Sequence, residues 1–476
     1  MTRWNRRRRR GRRTTTECRR QDGAEARRDG PRAALAWLML SLLTAFAAGT
    51  LAAETDFSGE LGTGLQFHIP GARGYDATPL NPGNALGLTD LMVRSEVDLT
   101  IESRGESASA DLWAAVRQYP VGDLFVGTAA LAEGFAAGAG DDWSGFSGAV
   151  ADVFLVAEPY IFTLDLMRAA VSWRPADTLE ITAGRQSFLT GYGYGWNPVD
   201  LANPPKDPTD PGADVRGVDG LTLRWTGASW LDVKLYGALP NSAFAADYDE
   251  VLAGGEVTVI VPAVELKLAG LWGGGESAGD PYDLYPHAGA AAFFLDLYGV
   301  GVYGEGVLRS RSRRNLSDPA GGASVLDDEL TFSALAGLEY YFAAGPSVAL
   351  EYFYNGEGWN RGERIDFESA LLAGAAGTGE YAALYTPTYF ARHYILANLM
   401  IPWYAREVTV NLNLIVSPDS GALVLTPNAE VNLNYEGTLT AELWYSGQFS
   451  FDADRRDEAW FAPVRHAMWT SLRYYF

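Results

Sequence analysis

Cysteine is nearly absent. The single Cys18 lies near the start of the 476 residues and no thiol follows it, so disulfide frameworks, zinc fingers, thiol catalysis and iron–sulfur clusters are excluded for residues 54–476. Histidine is almost as scarce: His68, His287, His393 and His466 are scattered, and none adjoins a nucleophile motif. A hydrolase would need a nucleophile, a base and an orienting group together, so the chain is not expected to be an enzyme, and no catalytic residue, metal or cofactor is assigned. Past residue 53, 24 Lys and Arg stand against 55 Asp and Glu. That balance excludes nucleic acid, which requires a basic surface. Long apolar runs are missing after residue 53 as well, which excludes transmembrane helices.

Residues 1–53 differ in kind. They carry 13 Arg against four acids, and Ala33–Ala48 is an apolar core followed by Gly49, Thr50, Ala52 and Ala53. This is the layout of a secretory signal peptide, with cleavage after Ala52 or Ala53; an uncleaved membrane anchor is the alternative. Residues 54–476 are then the exported protein, rich in glycine (53 in the whole chain) and aromatics (12%). A chain of that composition without membrane helices is either soluble or an outer-membrane β-barrel.

Period-two alternation decides between them, because a barrel strand shows lipid one face and water the other. Val408, Val410, Leu412, Leu414 and Val416 alternate with Thr409, Asn411 and Asn413. Ala429, Val431, Leu433 and Tyr435 alternate with Asn428, Glu430, Asn432 and Asn434, and Leu439, Ala441, Leu443 and Tyr445 with Thr438, Thr440, Glu442 and Ser446. The same pattern turns Arg94, Glu96 and Asp98 inward in Val93–Ile101, and Arg224 inward in Leu221–Trp225. Short turns, such as Ser103–Glu106, Pro262–Ala263, Leu295–Asp296 and Pro402–Ala405, alternate with long loops at Pro70–Thr89, Gly122–Thr163, Leu189–Gly217, Arg311–Glu329 and Glu357–Thr388. The expected fold is all-β: a transmembrane antiparallel barrel of about 18 strands beginning near Ser58, with short periplasmic turns and long extracellular loops. Because Leu164–Trp173 and Ala253–Val261 alternate weakly, 16 strands is the alternative count. A soluble sandwich also alternates, but does not sort its connections so regularly. So early a first strand leaves no room for the plug domain of an energy-coupled receptor.

The chain ends in a strand whose Met468, Thr470, Leu472, Tyr474 and Phe476 share one face. This resembles the C-terminal signal read by the barrel-assembly machinery, and assigns Leu472, Tyr474 and Phe476 to membrane insertion. Outer-membrane lipid is the expected surrounding; a homo-oligomer is left open.

The most distinctive stretch is Gly184-Arg185-Gln186, then Gly193-Tyr194-Gly195-Trp196-Asn197-Pro198-Val199-Asp200 and Asn203-Pro204-Pro205, followed by Arg216-Gly217-Val218-Asp219-Gly220-Leu221. It resembles a family of large outer-membrane porin-like proteins related to alginate-export-type barrels, in which a GRQ strand end leads into a GW or WG and NP-D loop. The resemblance implies a wide barrel acting as a passive or substrate-selective diffusion channel for small hydrophilic solutes. A structural or adhesive barrel without an open pore is the alternative function. Arg185 and Arg216 flank this loop and are candidates to line a constriction with Trp196 and Asp200. The competing reading, preferred here, pairs the two arginines with Asp200, Asp207, Asp210 or Asp214 to brace the loop. Parity puts Arg185 with Leu179 and Ile181, so it belongs at the rim or after a bulge. The Asp207–Asp214 run lacks EF-hand spacing and reads as a solvated loop. Gly122–Thr163 is a second loop long enough to fold inward or to cover the mouth. The lumen candidates Arg94, Glu96, Asp98, Arg224, Glu430 and Glu442 carry both signs with an acidic excess, which favours cations or neutral solutes over a polyanion such as alginate.

Overall fold

In the computed structural model, residues 54–71, 74–75, 84, 88–120, 153–157, 160–188, 190–239, 252–273, 287–310, 315–316, 325–326, 330–372, 388–404, 407–451 and 464–476 are described. The expected signal peptide and most of the Gly122–Thr163 loop lie outside these residues.

Alternation becomes a closed antiparallel barrel. Its strands are β1 (Glu54–Pro70), β2 (Leu91–Arg104), β3 (Ala108–Pro120), the short β4 (Val153–Ala157), β5 (Tyr160–Ala176), β6 (Leu179–Gln186), β7 (Val218–Ala228), β8 (Leu231–Leu239), β9 (Leu252–Val261) and β10 (Val264–Trp272). They continue through β11 (Ala288–Leu297), β12 (Val300–Arg309), the two-residue β13 (Asn315–Leu316) and β14 (Val325–Leu326), β15 (Thr331–Tyr341) and β16 (Ser347–Tyr354). The last are β17 (His393–Trp403), β18 (Val408–Ser417), β19 (Ala422–Asn432), β20 (Leu439–Ser450) and β21 (Val464–Tyr475). Leaving out β4, β13 and β14, 18 strands pair in chain order, and β21 closes on β1 from Glu60↔Tyr475 to Pro70↔Val464. Phe476 completes the seam by exchanging backbone hydrogen bonds of 3.0 Å with Gly59.

Both weakly alternating segments are full barrel strands, β5 and β9, which settles the count at 18. Several boundaries differ from the sequence reading. β1 starts at Glu54, before Ser58. The end of the Gly122–Thr163 stretch is β4 and the beginning of β5, which pair as a hairpin beside β6. Leu295 and Asp296 lie inside β11, and the turn falls at Tyr298–Gly299, both with positive φ, as a two-residue hairpin requires. Among the described residues, one α-helix, α1 (Arg361–Leu372), lies between β16 and β17. Asn360 and Glu363 cap it reciprocally: the Glu363 N–H donates to Asn360 Oδ1 (3.0 Å) and the Asn360 N–H to Glu363 Oε2 (2.9 Å).

The pleat sorts the side chains. Leu61, Leu65, Val97, Leu112, Leu221, Leu350, Leu412, Leu443 and Leu472 are exposed on the outer face. Exposed Trp173, Trp225, Trp230, Tyr298, Tyr341, Trp403, Tyr404 and Tyr435 gather at the short-turn end as an aromatic girdle. An apolar band bounded by aromatics suits a bilayer and its interface.

Candidate functional site

A barrel interior should be wet, yet this one contains a hydrophobic core. Inward-facing Tyr236, Ala238, Leu252, Leu271, Ala290, Ala292 and Val307 pack with Phe188, Val199, Leu201 and Ala202. Farther round, Tyr303, Leu335, Phe353, Tyr394, Leu396, Ile415 and Val424 pack with Trp196. The second partner in each cluster is the 187–217 connection between β6 and β7. It folds into the lumen and covers the wall from β8 to β19.

Carboxylates on the wall hold it by its main chain. The Thr190 hydroxyl donates to Glu256 Oε2 on β9 (2.6 Å). Consecutive N–H groups of Tyr192 and Gly193 donate to Glu305 Oε1 on β12, the second at 2.7 Å. Those of Tyr194 and Gly195 donate to the two oxygens of Glu351 on β16, the second at 2.8 Å, and the Tyr303 hydroxyl donates to Glu351 Oε1 at 2.8 Å. Buried ionised acceptors bonded to backbone N–H groups form strong, directional contacts. The alternating glycines allow the approach. A Cβ on Gly193 would lie 1.8 Å from Trp196 O, and one on Gly195 would lie 2.4 Å from Leu396 Cδ1. Trp196 itself is fully buried between Phe353 and Tyr394, at ring separations of 5.3 and 5.5 Å, and its indole N–H donates to Thr388 O (3.1 Å). Beyond it, Asn413 Nδ2 on β18 donates to Pro208 O (2.6 Å) and the Thr426 hydroxyl on β19 to Thr209 O (3.0 Å). Lys206 Nζ donates to Gly193 O (2.9 Å) and ties the loop to itself.

The opposite wall stays charged. Arg473 on β21 contacts Glu60 (3.2 Å), Glu96 (3.4 Å) and Glu442 (3.1 Å). Arg117 on β3 contacts Asp98 and Asp165, each at 3.5 Å. Arg94 lies 3.9 Å from Glu96 and over the Trp469 ring, and Trp113 Nε1 donates to Asp98 Oδ1 (3.1 Å). Asp210, on the loop, faces this network. Burial, with Asp207 and Glu442 adding, pushes its carboxyl up to about 6 against the pull of Arg94 and Arg473. Asp207 is likewise raised by burial, although its Oδ1 accepts from Thr209 N (2.8 Å) and Oγ1 (2.7 Å).

The sequence candidates therefore separate. Arg94, Glu96, Asp98 and Glu442 come together in the charged network. Arg224 sits near the short-turn rim, paired with Asp232, and exposed Glu430 lies near that end too, so neither joins that network. Trp196 and Asp200 belong to the inward loop but face its packing rather than the passage; Asp200 Oδ2 accepts from Asn203 Nδ2 (2.8 Å). Arg185 pairs with none of the four loop aspartates. It is 3% exposed and makes a bidentate pair with Asp219 at 3.0 and 2.8 Å, while Nη1 donates to Leu166 O (3.0 Å). Arg185 follows Gly184, whose φ is +116°, and it braces the root of the loop. Arg216 is half-buried, and it is Arg168 that lies near Asp214, at 3.9 Å. Glu305 and Glu256 escaped sequence reading; the signal for Glu305 was an acid at inward parity between Tyr303 and Val307.

No protein-family model matches the chain, and no curated protein matches it. Among solved structures, it is similar to the crystal structure of Acinetobacter baumannii OccAB1 (11% identity, TM-score 0.48, spanning 90% of this chain and 99% of that one). It is similar also to Pseudomonas aeruginosa OccK11 (OpdR), with 10% identity, TM-score 0.46 and spans of 89% and 96%. A triple mutant of the Rhodopseudomonas blastica porin gives 12%, 0.40, and 89% and 100%.

Proposed function

We propose that the protein is an outer-membrane channel for diffusion of small hydrophilic solutes, narrowed by its 187–217 loop. The observation that carries this reading is the asymmetry of the lumen. One side is sealed by a loop bonded to Glu305 and Glu351, and the other keeps the water-facing charges of Arg94, Glu96, Asp98, Glu442 and Arg473. A barrel built only as a support or adhesin has no use for a charged strip facing a fixed loop. The short-turn end is then periplasmic and the long loops extracellular, the chain having been exported by its N-terminal signal. The outward row of Leu472, Tyr474 and Phe476, at the closing seam, is the insertion signal. The resemblance to alginate-export-type barrels rests on the segment that forms the docked loop. What it contributes is a wide barrel acting as a passive or substrate-selective diffusion channel; the polyanion is not carried over, because the wall arginines are already paired with carboxylates.

Planar-bilayer recording of the purified, folded protein tests this. Expected are stepwise, ohmic conductance increments and a reversal potential, under a KCl gradient, of modest cation preference. Folded protein that inserts and gives no steps would refute the channel.

A further inference from the structure

We infer that the channel carries a binding recess for a neutral polyhydroxylated solute of mono- to disaccharide size, on the lumen face of β2, β3, β5 and β6. The inference rests on the channel reading and names its substrate class. The recess has a volume of about 410 Å³, within the ordinary range of small-molecule sites, about 300–1,000 Å³. Its polar lining includes Ser109, Asp111, Arg168, Ser172, Thr182 and Gln186.

Charge comes first. A site for an ion presents unpaired charge of the opposite sign, and this wall presents little. Its own cations each face a carboxylate: Arg104 pairs with Glu102, Arg185 with Asp219 (2.8 Å), and Arg168 has Asp111 at 3.9 Å. A free anion would have to displace a carboxylate, and a free cation would have to displace an arginine. A neutral solute displaces neither.

Hydrogen-bonding capacity comes second. Most lumen pairs are in direct contact, as in Arg174–Glu180 at 2.6 Å. Arg168 and Asp111 stand 3.9 Å apart, beyond hydrogen-bond distance, with 37% and 34% of their side chains exposed. Arg168 is fixed in place by stacking 5.4 Å over the Trp113 ring, so its guanidinium edge is presented without being consumed. A planar multiple donor beside a carboxylate acceptor matches two adjacent hydroxyls, each of which donates one bond and accepts another. Around the pair, the Ser172 and Thr182 hydroxyls are 2.8 Å apart and Gln186 Oε1 accepts from Thr222 Oγ1 at 3.0 Å, so groups able both to donate and to accept continue across the recess.

Current block by maltose in planar bilayers tests the proposal. Maltose should reduce single-channel KCl current saturably and by more than the viscosity of the solution explains. The paired substitution Arg168→Gln with Asp111→Asn should raise the half-blocking concentration at least about tenfold, the loss expected for one charge-assisted hydrogen bond. Ser172→Ala with Thr182→Val should weaken block with both charges in place, which covers the case in which the charge variant does not fold. Arg224→Gln, in a paired lumen arginine outside the recess, should leave block unchanged. Conductance without saturable block overturns this inference and leaves the channel standing, whereas absence of conductance overturns both. Tighter block by gluconate than by maltose, or equal weakening by Arg224→Gln, also overturns it.

Discussion

Replacing Glu351 by glutamine should loosen the loop far more than replacing Glu305, although both substitutions are isosteric and both remove one charge. Glu351 is 1% exposed and uses two oxygens: Oε1 accepts from Tyr194 N and the Tyr303 hydroxyl, and Oε2 accepts from Gly195 N. Glutamine has one carbonyl oxygen, so its NH₂ must face one of two consecutive N–H groups, donor against donor. Losing a buried hydrogen bond to a charged acceptor costs about 2–3 kcal/mol, so the docked-to-released ratio of the loop falls roughly 30- to 150-fold. Glu305 concentrates its two N–H bonds from Tyr192 and Gly193 on Oε1. Glutamine placed with its carbonyl there keeps both, and weakening from the lost charge is about 1 kcal/mol, or roughly fivefold. Single-channel recording reads the difference. Released loop appears as flicker to a higher-conductance level, occupied much more in Glu351→Gln than in Glu305→Gln, and most in Glu351→Ala. Equal flicker in the two glutamine variants, or none in Glu351→Ala, would refute the assignment of these carboxylates as the loop's anchors.

Asp210 supplies a pH dependence. Its carboxyl is raised from 3.8 to about 6, so relative to a released loop its contribution to docking is fully present below about pH 4 and is lost as pH rises through about 6. Cation preference should fall between pH 7 and 5 with a midpoint near 6, and Asp210→Asn should abolish that midpoint in reversal-potential measurements; a midpoint that survives the substitution would exclude Asp210 as its source. The strand register is checked by cysteine substitution, since no cysteine follows Cys18. A cysteine at Asn411 should react with a water-soluble maleimide and one at Leu412, 39% exposed on the outer face, with a lipid-soluble probe; the reverse pattern would overturn the register.

The fold was readable because the bilayer enforces period two wherever lipid is the neighbour. Outward Leu412, Leu443 and Leu472 see hydrocarbon regardless of what fills the lumen, so their spacing survives in the sequence. Inward positions answer to whatever lies inside. On β11 the inner face is Ala290 and Ala292, on β17 Tyr394 and Leu396, all buried by the loop clusters. Such strands are apolar on both faces and resemble soluble core strands when read alone. β9 alternated weakly for another reason: the adjacent Gly254 and Gly255 give neither face a side chain, and apolar Ile260 stands at the inward parity of Glu256 and Thr258. Arg185 defeated sequence reasoning differently. The loop aspartates that follow it in the chain were the partners expected, but its partner Asp219 lies 34 positions away and is brought opposite by the β6–β7 register Arg185↔Asp219.

The same geometry changes what the acidity of the chain means. Counted by parity, Glu351, Glu430 and Glu442 are equal members of an acidic lumen, and an excess of such residues argues for cations. In the folded barrel Glu256, Glu305 and Glu351 are at most 9% exposed and are bonded to the loop, so they contribute little field to the passage. Glu430 stands near the short-turn end, away from the constriction. What remains opposite the loop is Glu60, Glu96, Asp98 and Glu442 interleaved with Arg94, Arg117 and Arg473, with Asp210 joining them above pH 6. Mixed rings of this kind hold water and weigh weakly between ions. The acids that make the sequence so negative are thus partly structural, and their arrangement follows from the loop: N–H groups turned toward a wall need carboxylates on that wall, while the facing wall keeps its acids paired with arginines.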